Sequence, residues 1–116
     1  MRGTVKHNGE ISEMFDTAWR VHTDCILALI KSTENKRGPI GRVAYIAGKK
    51  LGSAPVRNRI KRRMREASSI MGAPWSGYDV VFVAKSTMAH ADFDMISHDM
   101  EQIRNAVNSK NERTTL

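Results

Sequence analysis

The chain of 116 residues has a hydrophobic fraction of 41% and a formal net charge of +7, which fits one compact domain with a small core. Its longest uninterrupted apolar run, Cys25–Ile30, is too short to cross a bilayer, and its one cysteine excludes an internal disulfide. The N-terminal residues lack the apolar stretch of a secretory signal, so we expect a cytoplasmic protein.

The first predicted element is a short helix of about ten residues. Ile11, Met14, Phe15 and Ala18 have the i, i+3, i+4, i+7 spacing of one helical face, and Asn8 is a suitable N-cap. This segment is therefore expected to pack one apolar face against the rest of the domain.

Two strands are predicted next. The run TDCILALIKS, which begins at Thr23, is apolar enough to be a buried strand, and RVAYIAG, which begins at Arg42, is the second. A polar loop with Gly38-Pro39 separates them, and that arrangement predicts a hairpin.

A strongly basic segment follows the second strand and predicts a polyanionic partner. It has eight Lys or Arg residues and no Asp or Glu between Lys49 and Arg65, whereas the other 11 basic residues are balanced by the 12 acidic ones. Neutralised phosphates release counterions, which favours binding. A membrane surface is also polyanionic, but it usually requires apolar insertion or a lipid anchor as well.

The basic segment has the pattern of an amphipathic helix. Pro55 suits its first helical position. The apolar face, expected to pack on a sheet, consists of Val56, Ile60, Met64, Ala67 and Met71. The opposite face carries Arg57, Asn58, Lys61, Arg62 and Arg65, with Arg59 and Arg63 at its borders. Like charges spaced i, i+4 on this face repel by roughly 0.2–0.5 kcal/mol per pair. Binding of an anion would offset that repulsion, so the pattern favours an anion-binding face over a merely solvated one.

The last two elements are a strand and a helix. The strand is GYDVVFVAKS, which begins at Gly77, and the helix follows Asp92, a suitable N-cap. The apolar face of this helix consists of Phe93, Ile96, Met100, Ile103 and Val107. Residues 108–116 are expected to be a flexible tail.

The stretch RVAYIAGKKLGSAPVRNRIKRRMREA resembles the signature of the protein subunit of bacterial ribonuclease P. The resemblance is carried by Lys49-Lys50, by the loop with Gly52 and by Arg57-Asn58-Arg59. ISEMF, GYDVVFVAK and ADFDMISHDM are similar to the family's first helix, following strand and last helix. The resemblance extends from about Val5 to Val107 and implies one RNA-binding domain, residues 1–116, ordered over about 5–107.

The resemblance implies a fold. It is an α/β (α+β) two-layer sandwich with the element order α-β-β-β-α-β-α and a mixed sheet of about four strands. A short strand near Arg20–His22 completes that order. The basic helix is expected to join two parallel strands, and the family's crossover is left-handed, against the usual right-handed rule.

The resemblance also implies a function. A catalytic RNA with bound Mg²⁺, held mainly by that RNA and its substrate, removes the 5′ leader of precursor tRNA, and the protein assists without catalytic or metal-binding residues of its own. Ribonuclease P RNA and precursor tRNA are the expected partners; no membrane and no protein partner is required. The expected RNA-binding residues are Lys49, Lys50, Arg57, Asn58, Arg59, Lys61, Arg62 and Arg65.

A cleft for the single-stranded leader is implied at Ile11, Phe15 and Leu29. The family usually has aromatic side chains where this chain has Ile11 and Leu29, and Gly48 replaces a serine before the two lysines. Single-stranded RNA is bound largely by stacking its bases on aromatic rings, so the resemblance favours binding of the RNA subunit over strong stacking on the leader.

Three other functions are compatible with the residues. One is a ribosomal or RNA-assembly protein with a similar basic domain and no role in tRNA cleavage. Another is a nuclease that acts alone through the cluster of His90, Asp92, Asp94, His98 and Asp99. A reader of the DNA major groove is the third, although a basic helix flanked by strands is not a helix-turn-helix.

Overall fold

The computed structural model describes residues 3–4, 8–33 and 40–114, and the predicted turn at Gly38-Pro39 lies outside them. The strands are β1 (Gly3–Thr4), β2 (Trp19–His22), β3 (Ile26–Ser32), β4 (Arg42–Ile46) and β5 (Tyr78–Ala84). The helices are α1 (Asn8–Thr17), α2 (Ala54–Ile70) and α3 (Phe93–Thr114). Two 3₁₀ turns, Lys49–Leu51 and Ser86–His90, follow β4 and β5.

The strands form one mixed sheet in the order β1-β4-β5-β3-β2. β4 pairs in parallel with β1 and β5, whereas β3 is antiparallel to β5 and β2. The α+β class, the order α-β-β-β-α-β-α and the short strand near Arg20 are confirmed. The sheet also has a fifth strand, β1, whose two residues pair with Arg42 and Val43. The sequence did not predict this strand, because two residues are too few to show a periodic pattern.

The predicted hairpin between β3 and β4 is wrong. β5 lies between them and pairs with both, so that Val81 has Leu29 on one side and Ala44 on the other. The five residues Tyr78–Phe82 are all buried, which suits a central strand covered on both faces. A strand so apolar takes the centre of the sheet, although it comes last in the chain.

α2 is the crossover between the parallel strands β4 and β5, as the resemblance implied. Its hand stays a prediction. Ile60, Met64 and Ala67 are buried and Val56 is half-buried, so the predicted apolar face of α2 is confirmed. The helix begins at Ala54, which makes Pro55 its second residue rather than its first.

Helices α2 and α3 pack together on one face of the sheet and form the main two-layer core with it. Alternate strand residues such as Ala28, Val80 and Phe82 point into this layer. The intervening residues Leu29 and Val81 point to the opposite face, where α1 covers them. The domain therefore has a larger core beneath α2 and α3 and a smaller one beneath α1.

α3 begins as predicted and ends later. The Asp92 carboxylate accepts a hydrogen bond from the Met95 N–H at 2.9 Å, which confirms the N-cap. Ile96, Met100, Ile103 and Val107 are buried. The backbone stays helical to Thr114, because residues 108–114 have neither Gly nor Pro to stop the helix. No helix among the described residues is long and apolar enough to cross a membrane.

Candidate nucleic-acid interface

The connection from β4 to α2 depends on one glycine. Gly52 has φ of +137°, a backbone conformation that other residues rarely adopt, and a Cβ there would lie 3.2 Å from Val56 Cγ1. This conformation lets the chain turn directly from the 3₁₀ turn of Lys49–Leu51 into α2. As a result, exposed Lys49 and Lys50 stand just before the N-terminus of the basic helix.

The predicted RNA-binding residues form one surface, which we call the basic surface. Its exposed members are Lys49, Lys50, Asn58, Arg59, Arg62 and Arg65, and its half-buried members are Arg57 and Lys61. An open recess of about 380 Å³ runs along it, lined by Pro55, Asn58, Arg59, Lys61, Arg62 and Arg65. The structure thus brings most of the predicted residues together around one concave surface.

The cations of the basic surface lack ionic partners in the described part of the chain. The ion pairs found there are Lys31–Glu13, Arg42–Asp79 and the contact of His98 with Asp99, and none involves this surface. The first turn of α2 has no acidic residue, and the Ser53 N-cap makes no side-chain capping bond. The positive end of the helix dipole therefore adds to the side-chain charge.

Arg63 is directed away from the recess. Its Nη1 lies 3.5 Å from the Ala91 carbonyl oxygen, just before α3 begins, and its side chain is half-buried. Arg59, placed with Arg63 at the border of the helix face by the sequence, is exposed and lines the recess instead. The two border positions therefore differ, because only Arg63 reaches the segment that precedes α3.

Tyr45 and Ser68 belong to the surroundings of the basic surface, although the sequence did not single them out. The Arg65 guanidinium lies over the Tyr45 ring, 5.3 Å from its centroid, and the Tyr45 hydroxyl is 2.6 Å from Ser68 Oγ. Tyr45 is on β4 and Ser68 on α2, so no local spacing relates them. The only sequence signal was the polar Ser68 within the buried face of α2.

The residues implied for the leader cleft lie on the other face of the sheet, at α1 and in the strand beneath it. Ile11 and Phe15 are half-buried and belong to one apolar cluster with Leu29. Leu29 is fully buried, so it forms the floor beneath α1 and offers no surface to a ligand. The rest of the accessible apolar surface of this cluster comes from half-buried Ala18, Leu27, Ile46 and Val83.

Two polar contacts hold α1 over this cluster. Lys31 Nζ of β3 donates to Glu13 Oε1 at 2.7 Å. Arg20 of β2 donates to the Phe15 carbonyl oxygen in the last turn of α1, where backbone carbonyls lack helical partners. Both contacts fix the position of Phe15 relative to the sheet.

The family model described as Ribonuclease P matches residues 2–108. The chain belongs to the ribonuclease P family. A ribonuclease P protein component from Fusobacterium nucleatum is 34% identical over 110 residues, which cover 92% of this chain and 96% of the relative. One from Caldanaerobacter subterraneus is 38% identical over 65 residues, which cover 55% of this chain and 56% of the relative.

Solved structures of ribonuclease P proteins share the fold. The protein from Staphylococcus aureus superposes with a TM-score of 0.79 at 19% identity, covering 92% of this chain and 96% of that one. The protein from Thermotoga maritima gives a TM-score of 0.74 at 19% identity, covering 88% of this chain and 94% of that one. At this identity the likeness concerns the fold alone.

The acidic cluster of this ribonuclease P family member is separate from both surfaces. Asp24, Asp92, Asp94, Met95, His98 and Asp99 line a pocket of about 270 Å³. The described residues include no group of three or more side chains suited to holding a metal ion. Asp92 caps α3, and Asp99 accepts a hydrogen bond from the Cys25 backbone N–H at 2.8 Å, so both carboxylates have structural roles.

Cys25 lies beside this cluster and is fully buried. Burial, and then the negative charge of Asp99, raises the pKa of the Cys25 thiol. The thiol therefore stays protonated at neutral pH and packs as a small core residue rather than acting as a nucleophile.

Proposed function

We propose that this chain is the protein component of a ribonuclease P, an endoribonuclease that removes the 5′ leader of precursor tRNA and whose catalysis is carried by RNA. The observation that carries the proposal is the basic surface itself: a concave, cationic face without ionic partners among the described residues, in a chain of the ribonuclease P family. Curated relatives named as the protein component add support; the match spans 56% of one of them and 96% of another.

The basic surface is assigned to the RNA subunit. Arginine suits this role because its planar guanidinium can donate two parallel hydrogen bonds to a phosphate, whereas lysine acts as a mobile point charge. Arg59 and Arg62, which are exposed and line the recess, are the arginines assigned to such bidentate contacts. Asn58 lines the same recess and can donate to or accept from RNA, since its amide has both functions.

The half-exposed apolar cluster beside α1 is assigned to the leader of precursor tRNA. Single-stranded RNA is bound by stacking its bases on aromatic side chains. Phe15 supplies one such ring, and half-buried Ile11 extends the apolar edge. Because Leu29 is buried, its part in leader binding is to support α1 from below.

Magnesium is expected to be the metal of the reaction, held mainly by the RNA subunit and the substrate. Two RNAs that approach each other repel, and cations between them reduce that repulsion. The positive charge of the basic surface substitutes for part of the Mg²⁺ that the RNA alone requires. A cytoplasmic complex of this chain with ribonuclease P RNA and precursor tRNA follows from the proposal, with no membrane and no protein partner required.

The deciding experiment is cleavage of a precursor tRNA by a bacterial ribonuclease P RNA at low magnesium, with and without this protein. We expect the protein to stimulate cleavage and to be inactive without the RNA. Failure to stimulate a matched RNA, together with tight binding to ribosomal RNA, would favour a ribosomal or assembly protein. Cleavage by the protein alone would favour a nuclease that acts through side chains of the acidic pocket such as His98 and Asp94.

A further inference from the structure

Tyr45 connects the core to the basic surface. Its ring stacks on the Phe82 ring with centroids 5.4 Å apart and planes inclined by 13°. Phe82 is fully buried and forms a T-shaped pair with Trp75, with centroids 6.0 Å apart. The Tyr45 ring therefore has a rigid support behind it, which a side chain standing alone at the surface would lack.

The same tyrosine is linked to Arg65 in two ways, once directly and once through Ser68. The Arg65 guanidinium lies over the ring at 5.3 Å from its centroid, within the range of a cation–π interaction. Ser68 Oγ donates to the Arg65 carbonyl oxygen at 3.1 Å, and the Tyr45 hydroxyl is 2.6 Å from the same Oγ. Because the one proton of Ser68 is engaged with that carbonyl, the Tyr45 hydroxyl is the donor to Ser68.

Arg65 differs in this respect from the other arginines of the recess. Arg59 and Arg62 are exposed and have no aromatic or carboxylate contact among the described residues. Arg65 is also exposed and lines the recess, but its guanidinium rests on a fixed ring. A contact with a ring uses no oxygen acceptor, so the guanidinium N–H groups, which recognise a phosphate, stay available for hydrogen bonds.

We propose that Tyr45 is a positioning residue for RNA binding: it holds Arg65 in place before the RNA arrives. This inference rests on the proposed binding of ribonuclease P RNA by the basic surface. A free arginine loses much rotamer freedom when it binds a phosphate, and an arginine that is already held loses less. Tyr45 thereby raises RNA affinity without touching the RNA.

The test is the affinity of ribonuclease P RNA for the wild type, Tyr45→Leu, Tyr45→Phe, Arg65→Gln and the double variant Tyr45→Leu/Arg65→Gln, each over a range of salt. We expect Tyr45→Leu to weaken binding about three- to tenfold, from the loss of the ring contact. Tyr45→Phe keeps the ring and should bind nearly as tightly as the wild type. Arg65→Gln removes a phosphate contact, so its salt dependence should also become shallower, by about one unit of slope.

The double variant separates positioning from general support of the fold. In the Arg65→Gln background, Tyr45→Leu should cause no further loss of affinity, because there is no guanidinium left to hold. An equal loss in both backgrounds, or wild-type affinity for Tyr45→Leu, would overturn the inference. Failure of the wild type to bind the RNA at all would instead overturn the proposed function.

A second measurement uses the wild-type chain without RNA, in case Tyr45→Leu does not fold. The ring current of Tyr45 should shift the NMR signals of the Arg65 side-chain protons upfield, relative to those of Arg59 and Arg62. Tyr45→Phe should preserve that shift. Equal, unshifted signals for all three arginines would mean that the ring does not hold Arg65, and the inference would then be rejected.

Discussion

Asp99 accepts a hydrogen bond from the backbone N–H of Cys25 at 2.8 Å, although the two residues are 74 positions apart in the chain. The Asp99 carboxylate is 3% exposed, so this bond fastens the first turns of α3 to the chain that leads into β3. We expect Asp99→Ala to reduce the free energy of unfolding by about 1–3 kcal/mol, because it leaves a buried N–H unsatisfied.

Chemical denaturation of Asp99→Ala beside Asp94→Ala measures this effect. Asp94 is exposed on the same helix, so Asp94→Ala should change the free energy of unfolding little. The folded Asp99→Ala protein should still stimulate the RNA enzyme at a temperature below its melting transition. Loss of stimulation in a folded Asp99→Ala protein would show that the carboxylate does more than hold α3.

Gly52→Ala should destabilise the protein through backbone strain. At φ of +137° the added Cβ is unfavourable, and the cost is about 1–3 kcal/mol. Gly48→Ala is the matched control, because Gly48 has φ of −71° and a Cβ there would meet nothing within 4 Å. Thermal denaturation should show a clear loss for Gly52→Ala and almost none for Gly48→Ala; equal melting temperatures would mean that the turn relaxes around alanine.

Removing two exposed cations from the recess should weaken RNA binding and its dependence on salt. We expect Arg59→Gln/Arg62→Gln to reduce affinity for the RNA subunit about tenfold or more, since each lost contact is a charge-assisted hydrogen bond. The slope of log affinity against log salt should become shallower by about two units if both residues contact phosphates.

The control for that experiment changes the net charge equally at another place. Gln102→Glu/Asn105→Glu also lowers the charge by two, at exposed positions of α3 outside the recess. If the two double variants bind the RNA alike, the effect is one of net charge, and the recess has no special role.

Phe15→Ala should weaken binding of precursor tRNA with a long leader and leave binding of precursor tRNA with a one-nucleotide leader nearly unchanged. Loss of one base–aromatic stack costs about 1–3 kcal/mol, which is at least a fivefold loss of affinity. The measurement compares precursor tRNAs with a long leader and with a leader of one nucleotide, using the assembled RNA–protein complex. Equal losses for both substrates would place the effect of Phe15 in the fold of α1 rather than in leader contact.

The Cys25 thiol should resist alkylation in the folded protein. Its pKa is raised, chiefly by burial, so the thiolate is disfavoured in the native state and free to form in the unfolded one. The pKa of the thiol is higher in the folded state than in the unfolded state. The contribution of Cys25 to the free energy of unfolding is therefore fully present below the unfolded-state pKa, and it is lost as pH rises from there through the folded-state pKa. We expect iodoacetamide to react with Cys25 only on unfolding, and Cys25→Ala to remove part of the alkaline loss of stability; rapid alkylation of the native protein would contradict the burial of the thiol.

The helices and the basic surface could be predicted from the sequence because both depend on spacing within a short segment. The alternation of Ile60, Met64 and Ala67 with cationic residues fixes which side of α2 faces the sheet, whatever the rest of the chain does. The same holds for the apolar face of α3 and for the Asp92 cap, whose partner Met95 is three residues away. Local spacing was therefore enough to place the cationic residues of α2 on the face opposite its apolar one.

Only the tertiary structure decided how distant segments meet. It placed β5 between β3 and β4 where the sequence suggested a hairpin, because strand pairing depends on which partners bury the most apolar surface and not on order in the chain. It also buried Leu29 beneath α1, although the resemblance implied an accessible leader-binding position there. It also laid Arg65 over Tyr45, a contact between a helix and a strand that gives one cation of the basic surface a fixed position.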